Sequence, residues 1–284
     1  MGGKTRDNCA CGRQREDGSC FTINELRQIA AAVRRSRGIR VPGRTKAELL
    51  EGVLDAVGCG ADGGDRCVSQ LPDLPADLAR RLREALVPMA PREWLSNPTA
   101  WLSNFDIEAK VRELVRNKRT YRFLGVFPMD AEHRTRGEAC VSPAVCDYHP
   151  VEARARHPAF AAVFNTDYHG LPGSHWVALM GYVASKDPRY GLYYYDSTGR
   201  RPTGDIDRLI TRISDELTEA GDDEPPYYFN DTRHQSSNTE CGMFCISFID
   251  AMVNTERTFK QLCGRMKDDA EMIRRRSVYF ELPR

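Results

Sequence analysis

The spacing of apolar residues divides the chain into a helical beginning and a strand-rich middle. From Ile23 to Val33 the apolar positions Ile23, Leu26, Ile29, Ala30 and Val33 return every three or four residues, the period of one helix face, and the run stops near RSRG. TKAELLEGVLDAV predicts a second helix. Thr45 and Glu48 stand in capping-box relation there, and Leu49, Leu50, Val53, Leu54 and Val57 line one side. LARRLREAL predicts a third, amphipathic helix. Further on, YRFLGVFPM and FAAVFNTDY are short apolar runs with the aromatic and β-branched content of core strands. HWVALMGYV, the turn-rich ASKDPR and YGLYYYDSTG predict a strand, a connection and a returning strand. Towards the end, CGMFCISFIDAMV is apolar on nearly every side, a buried helix that opens on Cys241 rather than on a plain cap.

Between the helical beginning and the rest, GCGADGGDRCVSQLPDLPADL is rich in Gly, Asp and Pro, which predicts a linker at about residues 58–76. The expected organisation is a Cys-containing tail and helical region over residues 1–65, a linker and helix over 66–93, and a main domain over 94–284, with α+β as the fold class. The two WLSN stretches, at Trp94 and Trp101, are too short to be a structural repeat.

Composition narrows the possibilities. The chain's 284 residues, 41% of them hydrophobic, can fill a sizeable core. No apolar run reaches the roughly 18 residues of a membrane span, and MGGKTRDNCACGRQ lacks the apolar centre of a secretion signal, so a cytosol-like compartment is expected. A formal net charge of +1 argues against polyanion binding by the whole molecule. Locally, Arg34, Arg35, Arg37, Arg40, Arg44 and Lys46 gather around the connection between the first two helices. They read either as a surface for nucleic-acid phosphates or as a solvated charged face. The 10 cysteines read as free thiols rather than bonded pairs. Cys9, Cys11 and Cys20 would need a fourth ligand such as Cys59 or Cys67 to hold zinc. Their spacing fits no standard zinc pattern, so no metal and no cofactor is expected.

The candidate chemistry lies between His175 and Cys241. A hairpin turn near residues 184–189 sets His175, which opens one strand, opposite or diagonal to Asp196, which closes the next, where a carboxylate can hold an imidazole tautomer. Cys241 sits where the positive end of a helix dipole favours negative charge on sulfur, which makes it a candidate nucleophile. Gln235, six residues upstream, can aim its amide at the same reacting carbonyl. Taken singly, these residues are ordinary: a buried cysteine, a strand histidine, a turn aspartate and a loop amide. Their order and spacing together describe an acyl-transfer site.

GSHWVAL, YYYDSTG and RHQSSNTECGMFCISF resemble the His, Asp and Gln…Cys blocks of the SUMO-protease and adenovirus-protease superfamily. More narrowly, WLSNFDIE, NTDYHGLPGSHWVAL, DSTGRRP and RHQSSNTECG resemble the polyprotein-processing proteases of large nucleocytoplasmic DNA viruses, over roughly residues 95–253. The resemblance implies a papain-like fold with a mixed sheet and a nucleophile-bearing helix. It also implies His175 as base, Asp196 as its orienting acid, Cys241 as nucleophile and Gln235 as oxyanion donor. Trp176 would wall a narrow substrate channel, and Gly242 would let substrate backbone approach. Cleavage after Gly-Gly in viral structural precursors, in the infected cytoplasm and the virion, is the implied activity. A deconjugase acting on ubiquitin-like proteins is the alternative within the class. An acyltransferase on the same scaffold and a non-catalytic DNA-associated scaffold are the alternatives outside it. Cys245, one turn after Cys241, reads as core. The helical pair over residues 23–57 resembles a SAP-like module, a small DNA-binding unit of two helices.

Overall fold

The computed structural model describes residues 9–10, 13, 16–60, 64–134 and 139–282. They fall into two compact units, Met1–Met89 with Val278–Glu281, and Ala90–Ser277 with Leu282–Arg284.

In the first unit, helix α1 (Ile23–Arg37) starts at a Thr22 capping box closed by Glu25, and α2 (Lys46–Val57) at a Thr45 capping box closed by Glu48. Each ends on a glycine in the left-handed region, Gly38 and Gly58. Helices α3 (Gly64–Ser69) and α4 (Ala76–Glu84) complete the unit. Its core joins Phe21, Leu26, Ile29 and Val33 to Leu49, Val53, Val68, Leu78 and Leu82. The expected linker is therefore part of this packing. Val68, Leu74 and Leu78 bury apolar surface that a linker would leave in water, and the units divide at Met89/Ala90 instead.

The cysteine reading is corrected as well. Cys9 is bonded to Cys20, Cys59 to Cys67 and Cys140 to Cys146, while Cys241, Cys245 and Cys263 are free. Turns bring the members of each pair together at short separations, which sequence spacing alone does not announce. Cys11 lies outside the described residues. Among the described residues no group of His, Cys, Asp or Glu is arranged to hold a metal ion, and no helix is long and apolar enough to cross a membrane.

The second unit follows a 3-10 turn at Arg92–Leu95 with helix α5 (Asn104–Val115), capped by Ser103 and Asp106. Strand β1 (Tyr121–Pro128) and the short helices α6 (Pro143–Cys146) and α7 (Pro150–Ala153) lead to strands β2 (Ala159–Asn165), β3 (Trp176–Tyr182) and β4 (Gly191–Tyr195). Helix α8 (Gly204–Glu219) and strand β5 (Tyr227–Phe229) come next. Helices α9 (Cys241–Asn254), α10 (Phe259–Cys263) and α11 (Asp269–Tyr279) close the chain. The sheet order is β1-β2-β3-β4-β5, with outer pairs parallel and inner pairs antiparallel, the mixed sheet of an α+β fold.

Strands β2 and β3 are buried along their whole length because both sheet faces are covered. One face gives Phe160, Ala162, Phe164, Val177 and Leu179 to Ile206, Leu209, Ile213 and Leu217 of α8. Helix α9 packs on β3 and against α5. Ala178 pairs with Tyr195 and Tyr182 with Gly191, a register that leaves His175 and Asp196 diagonal to one another just beyond the paired ends.

Candidate active site

The start of β3, the end of β4 and the start of α9 converge in the second unit. His175 Nε2 is 2.7 Å from Asp196 Oδ1, so the predicted pair forms. That carboxylate oxygen also accepts the Thr198 backbone N–H at 2.7 Å and its hydroxyl at 2.8 Å. Asn230 Nδ2 holds the Asp196 carbonyl at 2.7 Å. The turn after it closes through the Gly199 N–H, with Gly199 at φ +77°, where a Cβ would stand 2.9 Å from the Thr232 carbonyl carbon. Asp196 is thus fixed from three directions.

Electrostatics follow from these bonds. Burial opposes charge on His175, but hydrogen bonds with Asp196 and Cys241, and their charges, outweigh it and push the imidazole up to about 9. Burial would raise the Asp196 carboxyl, yet the His175 bond and charge, with the Thr198 donors, hold it below its ordinary value. With Nε2 committed to Asp196, Nδ1 is the nitrogen free to exchange a proton with sulfur. Burial, then the charges of Cys241 and Asp196, push the Cys245 thiol well up, which keeps it protonated.

Gln235 is buried and its amide is oriented. Its Oε1 accepts from Ser197 Oγ at 2.6 Å and its Nε2 donates to Ser237 O at 2.9 Å, which leaves the second amide hydrogen to donate elsewhere. The first N–H groups of α9 likewise have no acceptor within the helix.

Glu240, the residue before the nucleophile candidate, is fully buried and caps no N–H with its side chain. Its carboxylate instead takes Arg276 Nε at 3.0 Å and Nη2 at 2.7 Å. Arg276 further donates to the carbonyls of Pro98 and Ala100 and lies 4.3 Å over the Trp94 ring. Removing one member of a buried pair strands the other charge. Arg276→Met is therefore expected to cost about 3–5 kcal/mol of stability in chemical denaturation. Adding Glu240→Gln should restore much of that loss.

Two cavities flank this centre. One of about 510 Å³ is lined by His175, Asp196, Gln235, Ser237, Arg200 and Arg201 among others. A second, of about 550 Å³, is lined by Trp176, Leu102, Phe127, Tyr168 and Leu171 among others. Trp101 borders both. Trp176 lines the second cavity, and its Nε1 donates to Leu102 O at 3.2 Å. At Gly242 a Cβ would meet Ile107 Cδ1 at 3.1 Å and Leu102 Cβ at 3.3 Å, so the glycine makes room for these two side chains. In the first unit, Arg34, Arg35, Arg40 and Arg44 are exposed, Arg37 pairs with Asp73, and Lys46 donates to Ser19 O.

No family model matches the chain. R355 of Acanthamoeba polyphaga mimivirus, which bears a provisional thiol-protease name, is 26% identical over 295 residues, 95% of this chain and 92% of that protein. A cysteine protease of African swine fever virus, from a Malawi tick isolate, is 28% identical over 123 residues, 43% of this chain and 44% of that protein. The crystal structure of the African swine fever virus protease has the same fold, with a TM-score of 0.66 at 17% identity over 99% of this chain and 98% of that one. The chain is therefore similar over most of its length to a viral thiol protease and shares the fold of the African swine fever virus cysteine protease. The comparisons lend the protease's arginine-rich helical pair no nucleic-acid partner and do not establish a SAP-like module. Among residues that pattern reading passed over, Trp101 borders both cavities of the protease and Arg276 anchors the residue before Cys241. The signal for Trp101 was its place between the buried Trp94 and the Ser103 cap. Arg276 gave none, because its partners lie far away in sequence.

Proposed function

We propose that the protease is an endopeptidase that cuts viral structural precursors after Gly-Gly during assembly, using Cys241, His175 and Asp196 with Gln235. The observation that supports this reading is the bonded His175–Asp196 pair at the threshold of the helix that Cys241 opens. The Cys241 sulfur gives its proton to His175 and attacks the scissile carbonyl carbon. The carbonyl oxygen takes the displaced electron pair and is met by Gln235 and the N–H groups at the start of α9. The oxyanion collapses, the C–N bond breaks, and the leaving amine takes the proton from His175, leaving a thioester. Water then adds to the thioester with His175 as base, releasing the acid and the thiol. Trp101 and Trp176 beside the cut favour residues without side chains, which is the physical case for glycine.

Digestion of a peptide library read by mass spectrometry tests this. Cuts after Gly-Gly are expected; a preference for large or charged residues before the cut rejects the proposal. The second reading, removal of a ubiquitin-like protein from lysine, draws on the relative from a Kenyan isolate of African swine fever virus, which is named a SUMO-1 cysteine protease. Ubiquitin-like probes with a reactive C-terminus distinguish the two, since an endopeptidase for extended precursors should react with them poorly.

The pH dependence has a definite sign. With the imidazole raised to about 9, the imidazolium persists through neutrality and is lost as pH climbs through about 9, so kcat/KM should fall there. The same shift stabilises the fold below the ordinary histidine range, and that contribution fades through the same pH. Asp196→Asn should move the alkaline limb downward, which a kcat/KM profile from pH 5 to 10 would reveal. An unmoved limb would assign it to another group.

A further inference from the structure

The smaller of the two cavities beside the catalytic centre has a charge asymmetry that hydrolysis itself does not require. Its lining includes Arg200 and Arg201, which directly follow the turn that positions Asp196. Arg201 is exposed and lies 4.1 Å over the Phe229 ring, which fixes its guanidinium without neutralising it. Arg200 is exposed and forms no ion pair or hydrogen bond with another described residue. Among the described lining residues Asp196 is the acidic one, and its Oδ1 is already engaged by His175 and Thr198. Thr166, Ser174, Thr203, Ser237 and Asn238 supply neutral polar groups. Two guanidiniums therefore face this cavity without a matching acid.

Chemistry decides which half of a substrate enters. The leaving amine takes its proton from His175, so the chain beyond the scissile bond must pass the imidazole. His175 lines this cavity and not the one walled by Trp176. We propose that Arg200 and Arg201 form a subsite for acidic side chains in the first few residues after the cut, which makes them specificity-determining residues for the leaving half of the substrate. The inference rests on the proposed endopeptidase reading. It adds a requirement on the leaving side that a small-residue preference before the cut does not contain. A guanidinium presents paired donors that match a carboxylate, and an exposed pair is worth about 0.2–1 kcal/mol, so two together should favour an acidic substrate by about two- to thirtyfold at low salt. Screening should shrink that ratio as salt rises.

The test uses the full-length protease and peptides randomised before the cut, with three residues after it that are acidic, neutral or basic. Products are identified by mass spectrometry and kcat/KM is measured for matched members. The expected order is acidic above neutral above basic, with the acidic-to-neutral ratio collapsing to about one in the double variant Arg200→Gln/Arg201→Gln. Lys186→Gln removes one positive charge from the β3–β4 connection and should keep the ratio, separating a local subsite from general attraction. Because each ratio is internal to one enzyme preparation, partial misfolding of a variant does not mimic the effect. Equal rates for the three series, or a ratio that survives in the double variant, overturn the proposal. A Gly-Gly coumarin amide, which carries no residues after the cut, reports on the endopeptidase reading alone. Its cleavage without an acid preference sinks only the subsite, whereas cleavage with acid preference at sites lacking Gly-Gly sinks only the preceding specificity. No cleavage of any substrate overturns both.

Discussion

Cys241→Ala should reduce peptide cleavage to background, while Cys245→Ala should leave most of it. The two thiols sit one turn apart on the same helix, and both are almost wholly buried. Their surroundings separate them. Cys241 opens the helix and acts on the His175 imidazole, raising it, whereas burial and then the charges of Cys241 and Asp196 disfavour the Cys245 thiolate. A nucleophile that acts as one unit with its base cannot be removed in part, and losses on the order of 10⁵- to 10⁶-fold are typical when such a unit is broken. Cys245→Ala removes one sulfur from a packed core, with a stability cost of about 1 kcal/mol and a surviving site. Turnover of a Gly-Gly peptide, measured beside circular dichroism of each variant, checks both. Equal loss in two folded variants would refute the assignment of the nucleophile.

How much of this was readable in the sequence varies with how local the determining interaction is. The capping boxes at Thr45 and Ser103 and the strands around Phe160 and Leu179 depend on neighbours within a few residues or on a two-residue alternation, and only the Ser103 box was passed over. The His175–Asp196 meeting was also legible, because a short antiparallel connection fixes which residues stand diagonal. Helix α8 could have been read from Ile206, Leu209, Ile210, Ile213 and Leu217, whose three- and four-residue spacing is plain once counted. The cysteine pairs and the supposed linker were misread for a common reason. Gly, Asp and Pro mark turns, but they do not say whether Val68, Leu74 and Leu78 find a core to join or whether a turn brings Cys59 to Cys67. Gly242 shows the same limit, since its sequence neighbours do not reveal that Leu102 and Ile107 pack where its Cβ would stand.

Gln235→Ala should lower kcat by roughly 10²- to 10³-fold, the usual cost of losing one oxyanion donor, with a smaller change in KM. The expectation follows from how the amide is held. Ser197 donates to Oε1 and Nε2 donates to Ser237 O, so the carboxamide cannot rotate without losing two bonds, and its remaining hydrogen has a fixed direction. A donor fixed before the reaction spends nothing on reorganisation as charge develops, which is why its effect falls on kcat. Gln235→Glu gives a sharper result, because it keeps the shape and the acceptor for Ser197 but replaces the amide hydrogen with a carboxylate oxygen. Its negative charge would then face the developing oxyanion at neutral pH, so turnover should drop at least as far as in Gln235→Ala. Acidification should recover part of it as the carboxyl gains the proton that can donate. If Gln235→Ala kept full turnover, the N–H groups at the start of α9 would be sufficient to hold the oxyanion, and the amide would serve only to brace the Ser197–Ser237 loop.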